Sequence, residues 1–388
     1  MTHRIAAAFV PLVDCAVLVA ARECGFARAA GVDLELVKEP SWASLRDHLT
    51  LGHVDCAHAL APMPIASALG VGHVQADCFV PFVLGRGGNA ITVSTRLFDE
   101  LHASNSAAHA STPAQVGAAL ARVVRLRSSP LTLGMVFPFS NHNFELRYWL
   151  AAAGVHPDRD LRLVAIPPPL MVESLQAGHV DAFCVGEPWN SLAVERGIGR
   201  IVLTTSQMFP RAAEKVLAVR APLEEQRACL EALLQALNAA AAWADDAANT
   251  RELAQLLAKP EYVNVSASLI EESLSGRLLG GGPQTGDRDF LCFHRHDANR
   301  PSAEDALWIY AQMVRWGQLK PSAERQQRAA AVFRSDLYSR HVQAPVSSQP
   351  RAAVPFDGVV FTAAHVDAYL AQFNIATSFV DTSASQPQ

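Results

Sequence analysis

The chain has 388 residues and a formal net charge of -5; half of its residues are hydrophobic and 18% are charged, below the roughly 25% usual in soluble proteins. That length and composition fit a folded protein of one or two domains and exclude a disordered or fibrous chain. The mild acidity leaves no basic face to hold a nucleic-acid backbone, so direct nucleic-acid binding is not expected. The longest uncharged apolar stretch, Ala59 to Gly72, is cut by Pro62 and Pro64 and is too short to span a bilayer, so no membrane span is expected. In chain order, Ile5 to Phe9 reads as a strand, Ala16 to Ala29 as a helix, Val32 to Val37 as a strand, Ser41 to Leu51 as a helix, Val54 to Ala57 as a strand and Pro62 to Leu69 as a helix. After a polar stretch at His102 to Thr112 the rhythm returns. Pro113 to Leu126, Asn141 to Ala153, Pro169 to Gln176 and Pro188 to Arg196 read as helices around strands at Leu131 to Val136, Leu161 to Ile166 and Val180 to Phe183. Such alternation predicts parallel strands with crossover helices.

One internal echo links the two halves. Leu49-Thr-Leu-Gly52-His-Val-Asp55 matches Leu175-Gln-Ala-Gly178-His-Val-Asp181, each after a helix and before a short apolar strand. Gly suits the left-handed residue that ends a helix, and the Asp marks the turn into the strand. The echo predicts a duplicated two-lobe α/β architecture. From Pro222 onward the pattern is helical, at Pro222 to Asp246, Thr250 to Leu257, Val265 to Leu274 and Ser302 to Trp316. Gly280 to Gly286 is a turn-rich loop, and the tail Asp381 to Gln388 has little to bury.

Seven widely spaced cysteines (Cys15, Cys24, Cys56, Cys78, Cys184, Cys229 and Cys292) contain no CxxC pair and read as reduced, buried thiols of a cytoplasm. The chain enters Arg4-Ile-Ala-Ala-Ala-Phe-Val10 within four residues of Met1, which reads as a core strand and not an export signal, so a cytoplasmic location is expected.

Ligands of open α/β sheets sit where strands lead into helix N-termini. Four such junctions carry unusual residues: Glu39-Pro-Ser-Trp42, with Ser41 a plausible N-cap; His58-Ala-Leu-Ala-Pro-Met-Pro64; Phe137-Pro-Phe-Ser-Asn-His142; and Cys184-Val-Gly186-Glu-Pro-Trp189, where Gly186 admits a ligand to the backbone and Pro188 suits the first helical position. Converging helix N-termini favour a small anion. Each residue has a plainer reading: Trp42 as a packing residue, His142 as a cap, Glu187 and Trp189 as braces, Lys215 as a solvated lysine before a strand-like run, and Asn89 as a turn residue. Cys292-Phe-His294-Arg-His296-Asp297 resembles metal ligands, but no fourth ligand is evident, and no metal or cofactor is expected. With no GxSxG, P-loop, HExxH or GxGxxG after a strand, the chain does not read as an enzyme.

At these junctions the sequence resembles the nitrate and bicarbonate substrate-binding proteins of ABC transporters. The resemblance is carried in order by Phe9-Val-Pro-Leu-Val-Asp14, Ser41-Trp42-Ala-Ser-Leu-Arg-Asp47, His58 to Pro64, His142-Asn-Phe-Glu-Leu-Arg-Tyr-Trp-Leu150, Ile166 to Val172, Phe183-Cys-Val-Gly-Glu-Pro-Trp189 and Arg315-Trp-Gly-Gln318. It implies a type II periplasmic-binding-protein-like fold of two lobes with extra C-terminal helices. Lobe I would comprise 1–95 and 201–388 and lobe II 96–200, with crossings near Ala90 to Thr95 and Ile201 to Thr205. The family's nitrate contacts fall on Trp42, His142, Gly186 and Lys215, and on Asn89, where transporter relatives carry a longer Gln. Nitrate accepts hydrogen bonds and donates none, which suits a ring of donors. Bicarbonate also needs an acceptor, and no carboxylate is expected in the ring unless Glu187 turns inward, so nitrate or nitrite is the expected ligand. Lacking the lipoprotein-type signal of transport proteins, the chain most resembles the nitrate-sensing NasS proteins. That likeness implies a cytoplasmic sensor that holds an RNA-binding NasT-type antiterminator response regulator and releases it on ligand binding; the alternative is the solute-binding component of a nitrate or bicarbonate transporter.

Overall fold

The computed structural model describes residues 3–72, 76–103, 112–278, 287, 289–342 and 354–377. The Gly280 to Gly286 loop, most of the polar stretch before Pro113 and the tail from Asp381 lie outside them. The strands, in chain order, are β1 His3–Phe9, β2 Val32–Lys38, β3 Cys56–Leu60, β4 Cys78–Gly87, β5 Asn89–Ser94, β6 Thr132–Met135, β7 Arg162–Ala165, β8 Ala182–Gly186, β9 Gly199–Thr204, β10 Ala213–Arg220 and β11 Leu291–Cys292. They form two sheets, ordered β11-β4-β10-β3-β1-β2 and β7-β6-β8-β5-β9. The two-lobe α/β architecture expected from the echo is present. Residues 90–95 and 201–205 lie on or beside β5 and β9, which pair with each other in the second sheet, so the chain changes sheet at Gly88 and again between Thr204 and Ala213.

Parallel pairing holds within the triplets β2-β1-β3 and β7-β6-β8. The return strand β10 runs antiparallel to β3 and β4, and β5 antiparallel to β8 and β9. Helix-strand alternation does not encode those reversals.

The echo is a repeated hydrogen-bonding device. Asp55 N donates to Ala6 O (2.9 Å) while Asp55 Oδ2 accepts from Ala6 N (2.9 Å). Asp181 does the same to Thr132 (2.8 and 2.9 Å). Each Asp thus locks the third strand of its triplet to the first, and Gly52 and Gly178 supply the left-handed turns before them, at φ 79° and 72°.

Several helix limits differ from the sequence reading. The first helix ends at Glu23 because Gly25 turns left-handed, and a short helix resumes at Phe26–Ala29. The Pro222 to Asp246 pattern divides into Pro222–Glu225 and Arg227–Asp245, the latter packing on Ala16–Glu23. Pro188 is the N-cap of Trp189–Glu195 and not its first residue, and Glu187-Pro188 is a cis peptide. The C-terminal helices include Ala303–Arg315, whose Arg315 is stacked on the rings of Tyr148 and Phe373. Thr377 N donates to Arg315 O (2.9 Å), fastening the last described residues to the Ala303–Arg315 helix, and the Phe373 ring lies 5.4 Å from that of Tyr148 on the Asn141–Ala152 helix. Among the described residues no helix is long and apolar enough to cross a membrane.

Candidate functional site

Lys215 occupies the middle of the first sheet, facing Leu60 of β3 and Gly85 of β4, and is fully buried. It is therefore inside a strand, not before one, and is not a solvated lysine. Successive strand residues normally point to opposite faces, yet Lys215 Nζ donates to Glu214 Oε1 at 3.0 Å. The β10–β4 register slips on both sides of Lys215, and that irregularity lets both neighbours turn to one place. Nζ also lies 2.9 Å from Asp14 Oδ2, and Asp14 Oδ1 lies 3.0 Å from His58 Nε2. His58 is thus a residue of β3, not of the loop after it.

Around this ionic centre stand the other expected residues. Trp42 is the first residue of the Trp42–Leu51 helix, whose N-cap Ser41 accepts from Ser44 N. Its ring lies 5.7 Å from Lys215 Nζ and 5.7 Å from the His58 ring. From the second sheet, His142 sits in the first turn of Asn141–Ala152, capped by Ser140, with Nδ1 3.2 Å from Glu214 Oε1. Asn89 and Gly186 are opposed in the β5–β8 register. A Cβ at Gly186 would lie 3.3 Å from Asn89 Oδ1 and 3.4 Å from Asp14 Oδ2, so only glycine leaves this backbone open to the centre. All five expected residues are brought together.

Bonds between elements of the two sheets enclose them: Asn141 Nδ2 to Ala213 O (2.7 Å), Val13 N to Glu187 O (2.8 Å) and Trp189 Nε1 to Pro11 O (3.3 Å). Trp42, Asn89, His142 and Lys215 are at most 1% exposed. Trp42 Nε1, both amide atoms of Asn89 and both ring nitrogens of His142 have no aligned hydrogen-bond partner among the described residues. Buried polar atoms are normally satisfied, so several orphaned donors in one enclosure mark a place for an acceptor.

The electrostatics sort the groups. Burial disfavours the Asp14 carboxylate, but Lys215 and His58 outweigh it and hold Asp14 well below the usual carboxylate range. Burial likewise opposes the Lys215 charge, and Asp14 and Glu214 overcome it, raising the ammonium pKa. Burial pushes His142 down to about 4 against the pull of Glu214. Glu145, one turn beyond His142, is raised well above the usual range by burial and by Glu214, and both its oxygens are unpartnered.

The expectation of a donor ring without carboxylates is overturned. Glu187 Oε2 does not supply one: it accepts from Ser191 N and Ser273 Oγ. Asp14, Glu145 and Glu214 do, and His58 joins them. The signals were present, as an Asp ending the Phe9 to Asp14 run, a Glu directly before Lys215 and a Glu one turn after His142; none says that a carboxylate will be buried. The His294 and His296 pair diverges instead: His294 Nδ1 meets Asn299 Oδ1 (2.8 Å), while His296 Nε2 lies 3.4 Å from Asp289.

Residues 2–258 match the NMT1-like family. A curated relative, the nitrate import ATP-binding protein NrtC of a Synechocystis species, is 35% identical over 95% of this chain, which spans only 54% of its length. The nitrate/nitrite binding protein NrtA of a Nostoc species is 32% identical over 95% of this chain and 84% of its own. The crystal structure of the periplasmic nitrate-binding protein NrtA from Synechocystis superposes with a TM-score of 0.87 at 29% identity, covering 96% of this chain and 99% of that one. Bicarbonate transport proteins are among the other relatives. The chain therefore belongs to the NMT1-like family, among the nitrate and bicarbonate substrate-binding proteins of ABC transporters.

Proposed function

We propose that this protein binds a small planar oxyanion, nitrate or nitrite, as a solute-binding component of the NrtA kind. The observation that carries the reading is the set of buried, unpartnered donors of Trp42, Asn89 and His142 arranged with Lys215 and the Gly186 backbone. An acceptor-only anion would satisfy an ammonium, an indole N–H, an imidazole N–H, an amide and a peptide N–H together. Because Asp14, Glu145 and Glu214 also lie here, the site has acceptors for the O–H of bicarbonate. The choice of nitrate or nitrite therefore rests on the NrtA relatives. Catalysis has no part in this reading, which is supported by relatives that are transport components.

Calorimetric titration of the dialysed protein with nitrate, nitrite and bicarbonate tests it. Saturable nitrate or nitrite binding is expected; binding of bicarbonate alone, or of none, overturns it. The narrower reading, a cytoplasmic sensor that releases a NasT-type antiterminator on binding, is supported by the seven cysteines, all of them free thiols as a reducing compartment keeps them. A pull-down in which such a regulator is captured equally with and without nitrate would remove it.

A further inference from the structure

The enclosed centre already holds two carboxylates before any ligand arrives. Asp14 and Glu214 share one ammonium, that of Lys215, at 2.9 and 3.0 Å. The groups facing it are Asp14 after β1, His58 on β3, His142 and Glu145 on the Asn141–Ala152 helix, Cys184 on β8, and Glu214 and Lys215 on β10. Neither Glu145, whose buried carboxyl favours its neutral form, nor the buried Cys184 thiol adds positive charge. An anion placed here would add its negative charge beside two carboxylates that share one ammonium, in a medium that excludes water, which is strongly unfavourable without compensation.

His142 offers the compensation. One ring nitrogen, Nδ1, is 3.2 Å from Glu214 Oε1, and the other, Nε2, is buried without a partner. A neutral imidazole has one N–H; the imidazolium has two. Protonated, the ring would serve Glu214 and the incoming anion at once, and would add one positive charge to the loaded centre. We propose that the site takes up its anion together with one proton, and that His142 holds that proton. On entry of the ligand the proton passes from solvent to the unprotonated ring nitrogen; on release it returns. Burial keeps the ring neutral in the empty protein, with a pKa near 4, so the proton is not already present at neutral pH. This rests on the anion-binding reading and adds to it that binding is linked to pH.

The test is calorimetric titration of the full chain with sodium nitrate at about pH 7 in two buffers of very different ionisation enthalpy, PIPES and Tris, with an imidazole NMR measurement of His142 alongside. The buffer dependence of the heat counts protons, and about one proton taken up per anion is expected. Affinity should weaken by about tenfold per pH unit over the range where free His142 is neutral and bound His142 is charged. The ring should read as neutral in the free protein and as imidazolium in the complex. Glu145→Gln should keep the uptake and His142→Gln should bind more weakly without it. Nitrate heat that is independent of buffer, or a His142 ring that stays neutral in the complex, overturns the proton linkage while leaving the anion reading intact. Uptake persisting in His142→Gln overturns the assignment to His142. No nitrate heat from the unsubstituted protein overturns the anion reading and this inference with it.

Discussion

The two sheets are built on one plan and loaded differently. Each has a parallel triplet closed by the same Gly-His-Val-Asp turn. Yet Asp14, His58, Glu214 and Lys215 all belong to elements of the first sheet, whereas the second contributes Asn89, His142, the Gly186 backbone and the neutral-favouring Glu145. A buried ion network costs a large desolvation penalty and is stable only with every partner in place. Keeping its members on one sheet lets that network persist if the lobes separate. Uncharged donors lose less when they exchange water for a ligand, so they suit the half that would approach and withdraw.

Removing the cation should break this division most severely. Lys215→Ala leaves Asp14 and Glu214 buried without their shared ammonium, and a loss of about 3 to 5 kcal/mol of stability is expected in a denaturant titration. Nitrate heat should vanish with it. If the variant were as stable as the original, the ionic centre would not be the structural anchor of the first sheet.

The second half can be tested by pH on the ligand-free protein. His142 is held at about 4 in the fold against 6.5 in an unfolded chain, so below 6.5 the unfolded state takes up a proton that the native ring refuses. Its contribution is present above 6.5 and is lost as pH falls toward 4, amounting to about 3 kcal/mol. Glu145, whose pKa is raised, acts with the opposite sign as pH rises above the ordinary Glu value. The measurement is therefore the difference between the protein and His142→Gln, in which Glu145 is common. That difference should shrink steadily from pH 6.5 to 4; a flat difference would mean the ring is already charged in the empty fold.

The architecture was legible because it depends on periodicity and on turn residues: Ser41 and the paired glycines announce helix ends wherever they occur. The donor ring was legible from the family resemblance, not from residue type, since Lys215 by type is a surface residue. What stayed hidden has a common cause. Glu214 turns beside Lys215 because β10 slips its register against β4, and Asp14 meets the Lys215 ammonium because β10 is inserted between β3 and β4. Both depend on pairing of segments more than a hundred residues apart, which local pattern does not report. The same insertion places His58 in a strand where a loop was expected.

A smaller effect separates a ligand contact from a packing role. Both polar atoms of Asn89 are buried and unpartnered in the empty site. Asn89→Ala should therefore leave the free protein as stable as before, or more so, while removing a hydrogen bond to a charged ligand worth about 1.5 to 3 kcal/mol. Opposite signs in melting temperature and in nitrate affinity are expected; a parallel fall in both would make Asn89 a packing residue.

The smallest expected effect bears on the plan that the two sheets share. Asp55→Ala and Asp181→Ala each strip the acceptor from one part-buried strand N–H, that of Ala6 and that of Thr132. An orphaned N–H of this kind costs about 1 to 3 kcal/mol. Asp181 also meets the exposed Arg96 at 2.8 Å and lies 3.9 Å from Arg127, and such ion pairs add at most about 1 kcal/mol each. The two variants should thus lose similar stability in matched urea titrations, with Asp181→Ala the costlier by that margin. Should one be destabilised and the other untouched, the repeated turn would be a likeness of sequence without a shared load, and the two halves would be held together by different means.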